Sequence, residues 1–168
     1  MRIGLLSDTH GRTGRLRKAL EALAAHDPHA LVHCGDIGSA DCVELLASAG
    51  VPSYLTLGNM DRDAAGLFEA AETVGMTASH DRVEVPLGDG RYLAATHGHH
   101  EALLNELVAG EQFPYVCHGH SHRIRDERIG GVRVINPGAL HHPRAGAPSV
   151  AILDTDTDRL IHLPILTG

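Results

Sequence analysis

The order of apolar runs in the first sixty residues constrains the fold most. Short, nearly continuous apolar stretches at 1–7, 30–34 and 52–57 alternate with longer segments whose apolar residues recur at helical spacing. Buried strands separated by amphipathic helices read as βαβ units and a parallel sheet, because crossover helices cover the sheet faces and leave the strands apolar on both sides. Residues 14–26 read as the first helix, with Leu16, Leu20, Leu23 and Ala24 on one stripe, Thr13 as N-cap and Asp27-Pro28 as its end. Asp41 with Glu44 reads as the capping box of a second helix reaching residue 49.

A short helix over 63–73 follows, and then the pattern shifts toward strands. Segments 82–86 and 91–96 flank the turn Leu87-Gly88-Asp89-Gly90 as a hairpin, and 101–109 is one more helix. Segments 115–117, 124–129, 132–136, 149–154 and 159–166 read as strands, with turns at Gly130-Gly131 and 154–158. The class is α/β, parallel in its first half and more antiparallel in its second. At 168 residues the chain has one domain's length, and residues 1–168 are expected to form a single domain. Such a domain buries roughly 70% of its unfolded surface, so its core requires no disulfide or structural metal.

Composition narrows the function classes. A net charge of −7 offers no basic footprint for nucleic acid, and the absence of Trp with only two Phe and three Tyr leaves little for base stacking. An acidic protein that handles phosphates needs cations of its own. Cys34, Cys42 and Cys117 are odd in number and lack CxxC spacing, so reduced thiols are expected. No stretch approaches the ~18 apolar residues of a membrane span, and the opening run is too short for a signal peptide, so a cytoplasmic location is expected.

The unusual count is histidine, 14 of 168, equal to Lys and Arg together. Many of these fall, with aspartates and one asparagine, just after strands: Asp8-Thr9-His10, Gly35-Asp36, Gly58-Asn59-Met60-Asp61, His97-Gly98-His99 and Gly119-His120-Ser121-His122. Ligands of open α/β sheets bind beyond the carboxyl ends of strands, so these loops can converge. Imidazole with carboxylate suits first-row divalent metals, and donors in this number exceed one tetrahedral site, which favours a metal pair.

In this order, DxH, GD, GNxD, HGH and GHxH resemble the calcineurin-like metallophosphoesterases, most closely the small YfcE/MJ0936-type phosphodiesterases. Asn136-Pro137-Gly138 and Pro143-Arg144 extend the resemblance late into the chain. The resemblance implies a four-layer αββα sandwich of two mixed sheets flanked by helices. It also implies two divalent ions, manganese first, with Ni, Co, Fe and Zn as other candidates. One would be held by Asp8, His10, Asp36 and His122, the other by Asp36, Asn59, His97 and His120, with Asp36 between them. Asp36, Asn59 and His97 are the expected catalytic residues, and Asp61 and His99 are candidates for substrate contact or for supporting the ligands. The implied activity is hydrolysis of a small phosphodiester by a hydroxide held between both ions, with no membrane partner and with homo-oligomers left open.

Alternation along an extended segment would put His120 and His122 on one face, and His118 with them, although His118 stands outside GHxH. His26, His29, His80 and His162 read as surface or satisfied polar histidines and His33 as structural, whereas His99, His100, His141 and His142 fit either a supporting or substrate-facing role or an exposed loop. Two departures from the family pattern stand out: Met60 replaces the histidine of GNH(D/E), and Ala139 replaces the serine of NPGS. The rival readings are a non-catalytic Vps29-like interaction scaffold, against which the complete donor set argues, and a phosphomonoesterase.

Overall fold

The computed structural model describes residues 1–144 and 146–166. The elements run β1 (Arg2–Leu6), α1 (Thr13–Ala24), β2 (Ala30–Cys34), α2 (Ala40–Ala47), β3 (Ser53–Thr56), α3 (Ala64–Thr73), β4 (Thr77–Ser79), β5 (Arg82–Pro86), β6 (Tyr92–Thr96), α4 (Glu101–Ala109), β7 (Tyr115–Cys117), β8 (Arg125–Ile129), β9 (Val132–Asn136), β10 (Ser149–Asp154) and β11 (Arg159–Pro164). One sheet has the order β11-β10-β1-β2-β3-β4, the other β5-β6-β7-β9-β8. Both are mixed. β1 to β4 run parallel while β10 and β11 are antiparallel to their neighbours. In the second sheet β6, β7 and β9 are parallel, with antiparallel strands at each edge.

Strand alternation builds the layers, since successive side chains point to opposite sheet faces. Ile3 and Leu5 of β1, Val32 and Cys34 of β2, and Ala151 and Leu153 of β10 face Leu93, Ala95, Tyr115, Cys117 and Ile135 of the second sheet. Leu6, Leu31, Leu55 and Ile152 turn the other way and pack on α1, α2 and α3 through Leu16, Leu23, Val43, Leu46 and Leu67. On the far side Ala94, Val116 and Val134 meet Leu107 and Val108 of α4. The result is the four-layer αββα sandwich. Leu5 and Leu93 are fully buried between the sheets, where truncation to Ala costs about 2–5 kcal/mol. No helix among the described residues is long and apolar enough to cross a membrane.

Helix starts differ from expectation. Thr13 is the first residue of α1, and Arg12 holds the N-cap position without a side-chain hydrogen bond. The cap of α2 is Ser39, whose extended backbone lets Oγ accept from Cys42 N–H at 3.3 Å; Asp41 lies inside the first turn instead of forming a capping box with Glu44. β4, a three-residue edge strand of Thr, Ala and Ser, has too little apolar pattern to be read from the sequence.

Candidate metal centre

Parallel strands end on the same side, so their following loops meet. Asp8 and His10 follow β1, Asp36 follows β2, Asn59 follows β3, His97 follows β6, and His120 and His122 follow β7. Backbone hydrogen bonds lace the loops together: Asp8 N–H to Gly35 O at 3.0 Å, His10 N–H to Asp36 O at 2.8 Å, Gly119 N–H to His97 O at 3.0 Å and Arg144 N–H to His122 O at 2.9 Å.

Asp8, His10, Asp36, His120 and His122 all have positive φ, between 49° and 62°. L-residues avoid this left-handed region at a cost of roughly 1–3 kcal/mol each, and such strain persists where surrounding structure imposes it and function uses it. It also corrects the expected route to the His120–His122 pairing. Residues 118–124 form a loop, not an extended segment, and both side chains are aimed by left-handed backbone instead of strand alternation.

The side chains converge on two overlapping groups: Asp8, His10 and His122, and Asp8, Asp36 and His97, each with candidate ligand atoms within 4.8 Å of one another. Asp8 belongs to both groups, and Asp36 Oδ2 of the second, 3.3 Å from His97 Nε2, also comes within 3.7 Å of His10 Nε2 of the first. Asn59 Oδ1 is 3.2 Å from His97 Nε2, and His122 Nε2 is 3.1 Å from Asp8 Oδ1. His120 is more exposed, its ring centroid 5.1 Å from that of His97.

Supporting contacts fix which atoms face inward. His97 Nδ1 lies 2.8 Å from Cys34 O and His122 Nδ1 lies 2.8 Å from His142 O. A carbonyl can only accept, so each Nδ1 carries a proton, and in the neutral ring Nε2 is the nitrogen whose lone pair faces the centre, the arrangement that orients imidazole ligands. Ser7 Oγ donates to Asp8 Oδ2 at 2.6 Å, and Met60 N–H donates to Asp36 Oδ1 at 2.8 Å. Burial alone would raise the Asp8 carboxyl, but His122 and Ser7 outweigh it and hold it below the ordinary aspartate range. Burial likewise opposes the charged form of His97, yet Asp36 beside it raises its pKa overall. Asp8 raises that of His122, against weaker desolvation.

Two glycines show why these motifs need them. A Cβ on Gly58 would collide with Asp36 Oδ1, and one on Gly119 would collide with Ser7 Oγ and press on Asp8 Oδ2. The glycines of GN and GH are spaces for the carboxylates of other loops.

Asp61 is buried against backbone. Its buried carboxylate accepts from the N–H groups of Gly58 at 2.8 Å, Gly38 at 2.8 Å and Ile37 at 3.3 Å, tying the Asp36 loop to the Asn59 loop. His99 packs its ring 5.4 Å from His97 and 3.9 Å from His100, and its buried Nδ1 has no partner among the described residues. His118 Nε2 accepts from Arg125 at 3.2 Å and Nδ1 donates to Gly119 O at 3.1 Å, which uses both ring nitrogens. His33 Nε2 pairs with Thr9 Oγ1 at 2.8 Å. Ser7 and the carbonyls of Cys34 and His142 escaped sequence reasoning; the one available signal was a polar residue closing the buried first strand.

Asp8 Oδ1 and His10 Nε2 are buried and have no hydrogen-bond partner among the described residues. Leaving a buried polar atom unmatched costs about 1–3 kcal/mol, and both atoms point at the place where a cation would satisfy them. Carboxylate and imidazole donors of this kind fit a divalent first-row metal.

The family model of the calcineurin-like phosphoesterase superfamily domain matches residues 1–158. The chain belongs to this superfamily. Phosphodiesterase MJ0936 of Methanocaldococcus jannaschii is 31% identical over 157 residues, spanning 93% of this chain and 94% of that protein. A solved structure described as a novel archaeal phosphodiesterase superposes with a TM-score of 0.87 at 29% identity, over 97% of this chain and 99% of that one. The phosphoesterase Yfce of E. coli shares the fold with a TM-score of 0.70 at 23% identity, over 99% and 100% of the two chains.

Proposed function

We propose that this metallophosphoesterase is a phosphodiesterase that acts on small diesters with two divalent transition-metal ions, manganese first. The two donor groups that share Asp8, with Asp36 Oδ2 of the second reaching to 3.7 Å from His10 Nε2 of the first, carry this reading. Asp8, His10, Asp36 and His122 would hold one ion, and Asp36, Asn59, His97 and His120 the other. Bound ions would supply an acidified water and neutralise charge on the phosphoryl oxygens. Around them, Cys34 O and His142 O keep His97 and His122 in the tautomer that leaves Nε2 free. Met60 N–H and Ser7 Oγ hold the two carboxylates in place, and Asp61 fixes the loop that presents Asn59. A net charge of −7 would otherwise oppose an anionic substrate, which is why the cations matter for binding as well as reaction. The buried thiols of Cys34, Cys42 and Cys117 are unpaired, in keeping with a cytoplasmic location.

Metal analysis after manganese loading, together with turnover of bis-p-nitrophenyl phosphate and p-nitrophenyl phosphate, tests this. Two ions per chain and faster diester hydrolysis are expected. Asp36→Asn should lose metal and more activity than the ~10–100-fold typical of losing an outer contact. Near-normal turnover with two ions in that variant would overturn the dinuclear reading, and preference for the monoester would favour a phosphomonoesterase.

A further inference from the structure

α4 begins immediately after the His97 loop, and its first turn lies across a cleft of about 260 Å³ from residues 118–121. Glu101, Leu104 and Asn105, spaced as one helix face, form one wall; His118, His120 and Ser121 contribute to the other. His120 also belongs to the candidate metal centre, so the cleft opens from it.

The walls define what can enter. Arginine–carboxylate pairs among the described residues join Arg82 to Glu84, Arg91 to Asp89, Arg125 to Glu127, Arg128 to Asp158, and Arg133 to Asp126 and Asp158. Glu101 is in none of them: an exposed residue at the rim of the cleft, it is an acceptor with no arginine paired to it. Ser121 Oγ accepts from Asn136 Nδ2 at 3.1 Å, which leaves its own hydrogen to donate. Asn105 offers both functions. His118 is 5% exposed and held by Arg125, so it forms a fixed floor. The volume falls below the ~300–1,000 Å³ of drug-sized pockets, and no Phe, Tyr or Trp lines it to stack a base.

We infer that this cleft seats one ester arm of the substrate, and that the arm is a small, non-anionic alcohol rich in hydrogen-bond donors, a polyol or an amino alcohol. The inference rests on the phosphodiesterase reading. Glu101 repels an anionic arm, while hydroxyl or ammonium donors satisfy it. Glu101 and Asn105 set specificity.

Three diesters that share a p-nitrophenyl leaving group and differ in the other arm, ethanolamine, glyceryl or phenyl, test it on the manganese-loaded protein. The ethanolamine or glyceryl ester should have the higher kcat/KM. Glu101→Gln should lower its ratio to the phenyl ester about tenfold, as expected for a lost charge-assisted hydrogen bond. Asn105→Leu should lower the ratio too, and Glu106→Gln, elsewhere on α4, should leave it unchanged. A loss confined to the ethanolamine arm identifies an amino alcohol, and an equal loss for glyceryl identifies a polyol. Equal treatment of all three arms by the original protein, or a ratio indifferent to Glu101→Gln, would overturn the inference. A crystal structure with phosphoethanolamine gives an independent readout: the amine should lie within hydrogen-bond distance of Glu101, and an amine placed elsewhere counts against the cleft. If no diester turns over, the phosphodiesterase reading fails, and the cleft is then judged by that structure alone.

Discussion

Met60 serves the site through its backbone, donating to Asp36 Oδ1, while its side chain is 46% exposed. A thioether has no proton to give a departing oxygen, and general-acid help is typically worth ~10²–10⁴-fold, most for poor leaving groups. Rates across a series of aryl diesters should therefore depend steeply on leaving-group pKa, and Met60→His should flatten that slope. A shallow slope in the original chain would show that another group supplies the proton. Ser7 is the contrasting case, buried and donating to Asp8 Oδ2. Ser7→Ala should weaken manganese affinity about 10–100-fold while the protein still folds, as titration of the metal-free protein would show. The candidate donors could be named from the sequence because each follows a recognisable strand. Ser7 could not, because a serine ending a strand carries no sign of which carboxylate it will meet.

Among the elements, β2 and β10, buried on both faces, were read with correct limits because a continuous apolar run has few alternative registers, while β1, read as 1–7, is a residue shorter at each end. β4 and the cap of α2 were missed for the opposite reason: three small residues, or one serine among several candidate caps, carry little pattern. The loop after β7 shows a different limit. The convergence of His120 and His122 comes from backbone φ imposed by neighbouring loops, which no local periodicity encodes. That packing makes Gly119→Ala a severe change. Its Cβ would press on Ser7 Oγ and Asp8 Oδ2, and overpacking of this kind costs about 1–3 kcal/mol. A lower urea midpoint and reduced metal content are expected together, whereas an unshifted midpoint would show that the loop can simply move aside.

For the whole molecule, protons act in opposing directions. Burial keeps His33 neutral, with a pKa pushed down to about 4, and His118 is likewise pushed down to about 4. Such groups leave folding undisturbed above 6.5 and weaken it as pH falls from 6.5 toward 4, by about 1.4 kcal/mol per pH unit for each. His97 and His122, with raised pKa values, act in the other sense and in another window: their contribution is full below 6.5 and is lost as pH rises above it through their folded-state values, so in the metal-free protein it is already complete before the loss from His33 and His118 begins. Because ions must displace these protons, metal uptake should weaken as pH drops through the range just above 6.5 and below it. At pH 8 and manganese at 100 times the Kd of each site, the loaded protein should be more stable than the chelated one by about 2.7 kcal/mol per ion, about 5.4 kcal/mol for two, or roughly 10–20 °C in Tm. Thermal melts from pH 8 to 5 should show this gap closing. A gap constant across that range would argue against histidine ligation.

Asp8, His10, Asp36 and Asn59 come from one sheet, and His97, His120 and His122 from the other. A bound cation would thus act as a clasp across the seam between the sheets, joining segments of chain that are distant in sequence. Substitutions in the two halves should then be epistatic. Once one donor is lost, a second loss from the opposite sheet would cost less than it does alone, because the clasp is already open.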